Sequence, residues 1–180
     1  MTEFFGSGVT RLCVRTTATG SFLDSQITFH LHSPKLGLEK NNPHKTTSTF
    51  TLSYLGDACY ELWCRKLVTH HYSNPKQVHR KTVQLVRCQT QSKLIELFLP
   101  LLSEEEVQIY KKGRNSRPQN VPKSASVEEY RKSTGFECLV GFWMLRDESE
   151  RFEQLMNDEK VQPFIESFIY SSRSKNLCKT

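Results

Sequence analysis

From about Ser48 the chain reads as a succession of helices separated by polar turns. Over 48–70, Leu52, Leu55, Cys59, Leu62 and Lys66 recur every three or four residues, the spacing that gathers side chains on one face of an α-helix. Asp57 and Glu61 fall one turn apart on a neighbouring face. Pro75 suits the first turn of a second helix, where its missing N–H is not needed, and the pattern carries that helix to about Thr90. A short apolar helix is predicted over 92–102. Ser103-Glu-Glu-Glu106 and Ser126-Val-Glu-Glu129 each put a hydroxyl at an N-cap and a glutamate three residues on, the reciprocal capping box. The first opens a helix that Gly113 is expected to close; the second opens a long helix carrying Glu137. Pro118 and Pro122 keep 114–124 in a loop, and two shorter helices follow over about 148–157 and 160–171. No segment alternates with a period of two and there is no internal repeat, so the predicted class is all-α.

Within this pattern two acids are out of place. Leu52-Ser-Tyr-Leu-Gly-Asp57-Ala-Cys-Tyr-Glu61 and Tyr130-Arg-Lys-Ser-Thr-Gly-Phe-Glu137-Cys-Leu-Val-Gly-Phe-Trp143 each set a carboxylate on an otherwise apolar helical stripe. Burying an unpaired charge costs several kcal/mol or neutralises the group, and a divalent cation between two such acids removes the difficulty. Hard divalent cations prefer oxygen ligands and keep several waters, so two carboxylates, Asp57 and Glu137, can suffice from the protein. Glu61 can contribute to the metal or pair with Arg65 at i,i+4. Gly135 and Gly141 flank Glu137 inside a helix, where each costs about 1 kcal/mol relative to Ala; close approach of another helix is the expected reason. His79 is the nearest thing to a general base, but a metal-bound water needs no imidazole, and the residue is read as packing or substrate-facing.

The two acidic segments, with Lys111-Lys-Gly-Arg-Asn115 and Val121-Pro-Lys123 between them in the same order, resemble the ribonuclease III family, and more closely its short form, Mini-ribonuclease III. The resemblance covers roughly 50–158. It implies the all-α ribonuclease III catalytic fold, a two-fold homodimer, Mg²⁺ held by Asp57 and Glu137, and cleavage of double-stranded RNA, with large-subunit ribosomal RNA precursors as the substrate and, in plastids, intron turnover. It also implies a dimer contact near the Glu137 helix, for which Phe136, Val140 and Trp143 are the candidates, unless they fill the protomer's own core. Full-length members usually carry two further acids where this chain has Ser53 and Thr134. That difference keeps open a catalytically inactive, RNA-binding or ribosome-associated descendant. A helical protein-interaction module with merely solvated acids is the reading from another class.

Charge sharpens the picture. The net charge of +6 is modest, but seven Lys or Arg lie between Lys111 and Lys132 against Glu128 and Glu129. A basic strip suits a polyanion, whose condensed counterions are released on binding, and is otherwise a solvated loop. A-form RNA is read through phosphates and 2′-hydroxyls, so Lys111, Lys112, Arg114, Asn115, Arg117 and Lys123 are the candidate RNA contacts. After the Glu137 helix only about 35 residues remain, too few for a separate double-stranded-RNA-binding domain, so the catalytic domain is expected to supply the grip. Six cysteines show no zinc spacing and fit a reducing compartment. No apolar run approaches a membrane span. The expected organisation is a Ser/Thr-rich extension over 1–48, the catalytic domain over 49–172 and a tail over 173–180. The extension leans toward a transit peptide and a plastid stroma, with the bacterial cytoplasm as the alternative.

Overall fold

The computed structural model describes residues 47–117 and 121–171. The transit-peptide reading of the extension and the tail over 173–180 therefore lie outside the described residues. Seven helices run in order: α1 Thr49–His71, α2 Pro75–Val86, α3 Cys88–Phe98, α4 Glu104–Arg114, α5 Val127–Leu145, α6 Ser149–Met156 and α7 Gln162–Tyr170, with a 3₁₀ turn Leu99–Leu101 after α3. Among the described residues there is no strand, and the all-α reading stands.

Local chemistry sets the helix starts. Ser48 accepts from the Thr51 amide, Asn74 from Lys76 and Gln77 with Pro75 behind it, and both capping boxes form. Two boundaries differ from the pattern. The second helix stops at Val86 because Arg87 is extended (ψ 147°), and α3 starts at once. The Thr90 hydroxyl donates to Gln84 O at 2.6 Å and accepts from Arg87 Nε, which fixes the joint without glycine or proline. Gly113 does not cap α4; it is buried within the helix, and Asn115 takes the cap position.

α5 is the centre, packed most extensively against α1 and then against α4 and α3. Two glycine pairs set those distances. A Cβ on Gly56 would stand 1.8 Å from Glu137 O, and one on Gly141 would stand 2.0 Å from Leu52 O, so α1 and α5 touch backbone to backbone. On the other side, a Cβ on Gly113 would stand 2.8 Å from the Gly135 Cα. The buried stripe of α1 consequently runs through Leu52, Gly56, Cys59, Tyr60, Trp63 and Leu67, while Leu62 is 41% exposed. The face predicted from Leu55 and Leu62 is rotated by about one residue, because glycine carries no hydrophobic signal to mark the point of closest packing.

The core is aromatic. Tyr60 meets Phe136 edge to face at 4.9 Å, Phe98 packs on Phe136 and Trp143, and Phe152 closes on Trp63 and Trp143. Phe136, Val140 and Trp143 are all fully buried inside the protomer. They have no surface to give a partner, and their candidacy as dimer contacts is corrected: with neighbours on three sides, α5 has spent its apolar residues internally. One polar network crosses this core. Glu106 on α4 accepts from Trp143 Nε1 (2.9 Å), from Arg151 Nε (2.8 Å) and from the Ser103 amide (2.7 Å), tying α4 to α5 and α6.

Candidate active site

The Gly56–Gly141 crossing places Asp57, the residue after the glycine, at the same level of the bundle as Glu137, one turn before Gly141. Both carboxylates line one cleft of about 370 Å³. Its walls come from α1 (Phe50, Ser53, Tyr54), from α5 (Tyr130, Thr134) and from the segment after α4 (Ser116, Arg117). Arg117 brings positive charge into the same space as the two acids. Ser53 and Thr134 occupy the wall beside them, and each hydroxyl donates within its own helix, to Phe50 O at 3.2 Å and to Tyr130 O at 3.1 Å. Their oxygens stay available as neutral acceptors.

Burial and mutual repulsion dominate the electrostatics of the two acids, although Arg117 lines the same cleft. Burial, then the negative charge of Asp57, pushes the Glu137 carboxyl up to about 8. Asp57 stands at the exposed mouth, yet the flanking helices remove enough water to raise its carboxyl too, with Glu61 adding repulsion. Gln91, on α3, lies beside Glu137 and eases the shift slightly, but without standard hydrogen-bond geometry; both of its side-chain polar atoms are unsatisfied. Sequence reading missed Gln91, since a glutamine amid Thr90 and Ser92 carries no recognisable signal.

Glu61 lies outside the cleft lining, and its Oε1 accepts from Arg65 Nε at 3.0 Å. This is the i,i+4 pairing with Arg65, the alternative to a metal role, and Glu61 is still close enough for its charge to act on Asp57. His79 is exposed on α2, away from the cleft. Among the described residues no three His, Cys, Asp or Glu side chains gather into a metal cluster. Two carboxylates still fit a hard cation that keeps most of its water, and the donors around them are all oxygens.

Of the basic strip, Arg117 lines the cleft. Lys111, Lys112 and Arg114 form the last turn of α4, Asn115 caps it, and Arg117 and Lys123 follow. Lys111, Asn115, Arg117 and Lys123 are exposed. Lys112 donates to Thr47 O at 3.0 Å, and Arg114 lies over the Tyr110 ring at 5.7 Å with its Nε donating to Asn115.

The crossing thus brings together the Gly-Asp and Phe-Glu segments whose sequences resemble the ribonuclease III family. The Ribonuclease III domain model matches residues 51–148. Mini-ribonuclease 3 of Desulfitobacterium hafniense is 43% identical over 119 residues, spanning 66% of this chain and 74% of that protein. Those of Clostridium tetani and Symbiobacterium thermophilum are each 36% identical, spanning 62% and 67% of this chain and 76% and 92% of theirs. A crystal structure of a Fusobacterium nucleatum protein superposes with a TM-score of 0.60 at 27% identity, covering 64% of this chain and 93% of that one. The chain belongs to the ribonuclease III family, in its Mini-ribonuclease III branch, a family of endoribonucleases acting on double-stranded RNA.

Proposed function

We propose that this chain is a Mg²⁺-dependent endoribonuclease that cuts double-stranded RNA. The observation that carries the reading is the pair Asp57–Glu137, fixed in one cleft by a backbone-to-backbone helix crossing and left without a positive partner between them. Asp57 and Glu137 would hold the ion, which supplies an oriented water and charge stabilisation for phosphodiester cleavage. The chain's own residues do the rest. Arg117 holds a backbone phosphate against the acids, while Ser53 and Thr134 offer acceptors to the cleft's waters in place of two further carboxylates. Lys111, Lys112, Arg114, Asn115 and Lys123 extend the phosphate-binding edge along the duplex.

The same reading includes a homodimer, which would set one cleft on each strand of the duplex. With Phe136, Val140 and Trp143 withdrawn, the candidate surface is Phe50 and Tyr54, stacked at 5.7 Å yet 66% and 72% exposed beside the cleft. Phe50→Ser with Tyr54→Ser should convert a sedimenting dimer to monomer; an unchanged dimer would place the contact elsewhere. Ribosomal RNA precursors of the large subunit are the proposed substrate, and 49–172 the proposed catalytic unit. The bacterial relatives favour a bacterial-type cytoplasm over a plastid.

The test is incubation of the full chain with a long duplex RNA and with its single strand, in Mg²⁺ or EDTA. Mg²⁺-dependent cutting of the duplex is expected. Binding of duplex without cutting at any Mg²⁺ concentration would favour the inactive RNA-binding descendant, the reading that Ser53 and Thr134 support.

A further inference from the structure

Gln91 is 1% exposed, and neither its amide N–H₂ nor its carbonyl makes a hydrogen bond of standard geometry. A buried amide left so costs about 1–3 kcal/mol, and an aliphatic side chain of similar volume in the same place would cost nothing of the kind. Its neighbours on α3, Leu94, Ile95 and Phe98, are fully buried apolar residues, so the position itself is a core position. Thr90 shows how this helix settles a buried polar group when only the fold is at stake: its hydroxyl bonds Gln84 O at 2.6 Å. Gln91 instead lies next to the Glu137 carboxyl, behind the residues that line the cleft.

We propose that Gln91 is a positioning residue of the cation site, its amide N–H holding the Glu137 carboxylate so that one oxygen faces Asp57. The inference rests on the function proposed above. In the protein alone the two acids repel, and the Gln91 amide makes no hydrogen bond of standard geometry. A bound divalent cation would offset that repulsion, and one N–H donated by Gln91 would then limit rotation of the Glu137 carboxylate. Partners of this kind typically change metal affinity by about 10–100-fold when removed.

The test uses Mn²⁺ as the probe, with free ion counted by electron paramagnetic resonance on the full chain, alongside melting temperatures without metal. Wild type should bind Mn²⁺ and Asp57→Asn should not. Gln91→Leu should melt no lower than wild type without metal, because an unsatisfied amide has been removed, yet bind Mn²⁺ about tenfold or more weakly. Excess Mg²⁺ should restore duplex cleavage to Gln91→Leu and not to Asp57→Asn. If Gln91→Leu fails to fold, Gln91→Met, flexible and of similar length, is judged by the same two readouts. Mn²⁺ binding unchanged in the folded variant overturns the inference while leaving the proposed function intact. A wild type that binds no Mn²⁺ overturns both.

Discussion

Glu106 and Glu137 stand on adjacent helices of one bundle, both drawn away from solvent, and their surroundings are opposite. Burial alone would raise the Glu106 carboxyl, but Arg151, the Ser103 amide and the Trp143 indole N–H outweigh it and hold it down at about 2. Glu137 has burial and the charge of Asp57, both acting upward, and reaches about 8. The first acid is complete within the chain and ties α4 to α5 and α6. The second is incomplete, and the glycine crossing that holds it against Asp57 leaves it so. On the proposed reading the fold carries one buried carboxylate as structure and another as chemistry, and the number of donors already aimed at each tells them apart.

The largest effect should come from the incomplete site. Asp57→Asn removes charge from the cleft at constant volume and should lower duplex cleavage on the order of a thousandfold or more, equivalent to about 4 kcal/mol of transition-state stabilisation. Its melting temperature without metal should be unchanged or higher, since a repulsion with Glu137 has gone. Comparable single-turnover rates for the variant and wild type at saturating Mg²⁺ would move the chemistry elsewhere.

At the complete site the loss should be in stability. Glu106→Gln leaves Arg151 facing a neutral amide and should cost about 3 kcal/mol in urea unfolding, the low end for a buried pair because the Arg151 side chain is 27% exposed. Cleavage per folded molecule should hardly change. A variant as stable as wild type would mean that the network is ornamental.

The two glutamates should also give opposite pH slopes in the metal-free protein. Glu106 titrates lower folded than unfolded, so its contribution is complete above about 4.5 and is lost as pH falls toward about 2. Glu137 titrates higher folded than unfolded, so the unfolded chain sheds that proton first, and stability falls as pH rises from about 4.5 to about 8. Melting temperatures across that upper range should decline for wild type, flatten for Glu137→Gln, and be recovered by Mg²⁺. A flat wild-type profile would show Glu137 to be better solvated than its setting implies.

The smallest effect concerns the basic edge, which touches neither acid. Replacing Lys112 and Arg114 by Ala should weaken duplex binding at every sequence and lower the log–log salt slope by about one unit for each phosphate no longer neutralised. An unaltered slope would mean that α4 points its last turn away from the RNA.

Much of the fold and of the acid pair is legible in the sequence, for physical reasons that differ by residue. Ser103 and Ser126 announce their helices because capping is local chemistry, complete within four residues. Asp57 and Glu137 stand out because a charge on an apolar stripe breaks a pattern. What escapes notice depends on which helix covers which. Glu106 reads as a cap alone, since Arg151 and Trp143 reach it from 45 and 37 residues away. Gly113 looks like a helix end because close packing against Gly135 leaves the same mark in sequence as a turn. Phe136, Val140 and Trp143 look available to a partner until the helices around α5 are in place. The break at Arg87 has no breaker residue, only a threonine three positions on whose hydroxyl fills the gap.

The same substitution made at both acids tests the central claim most directly. Duplex-RNA cleavage by Glu137→Gln and by Glu106→Gln is measured in saturating Mg²⁺, well below both melting temperatures, and normalised to folded protein. Cleavage lost in Glu137→Gln and kept in Glu106→Gln is the expected result. Cleavage kept in Glu137→Gln, or lost equally in the two, would contradict the assignment of Glu137 as the acid that the fold leaves open for a cation.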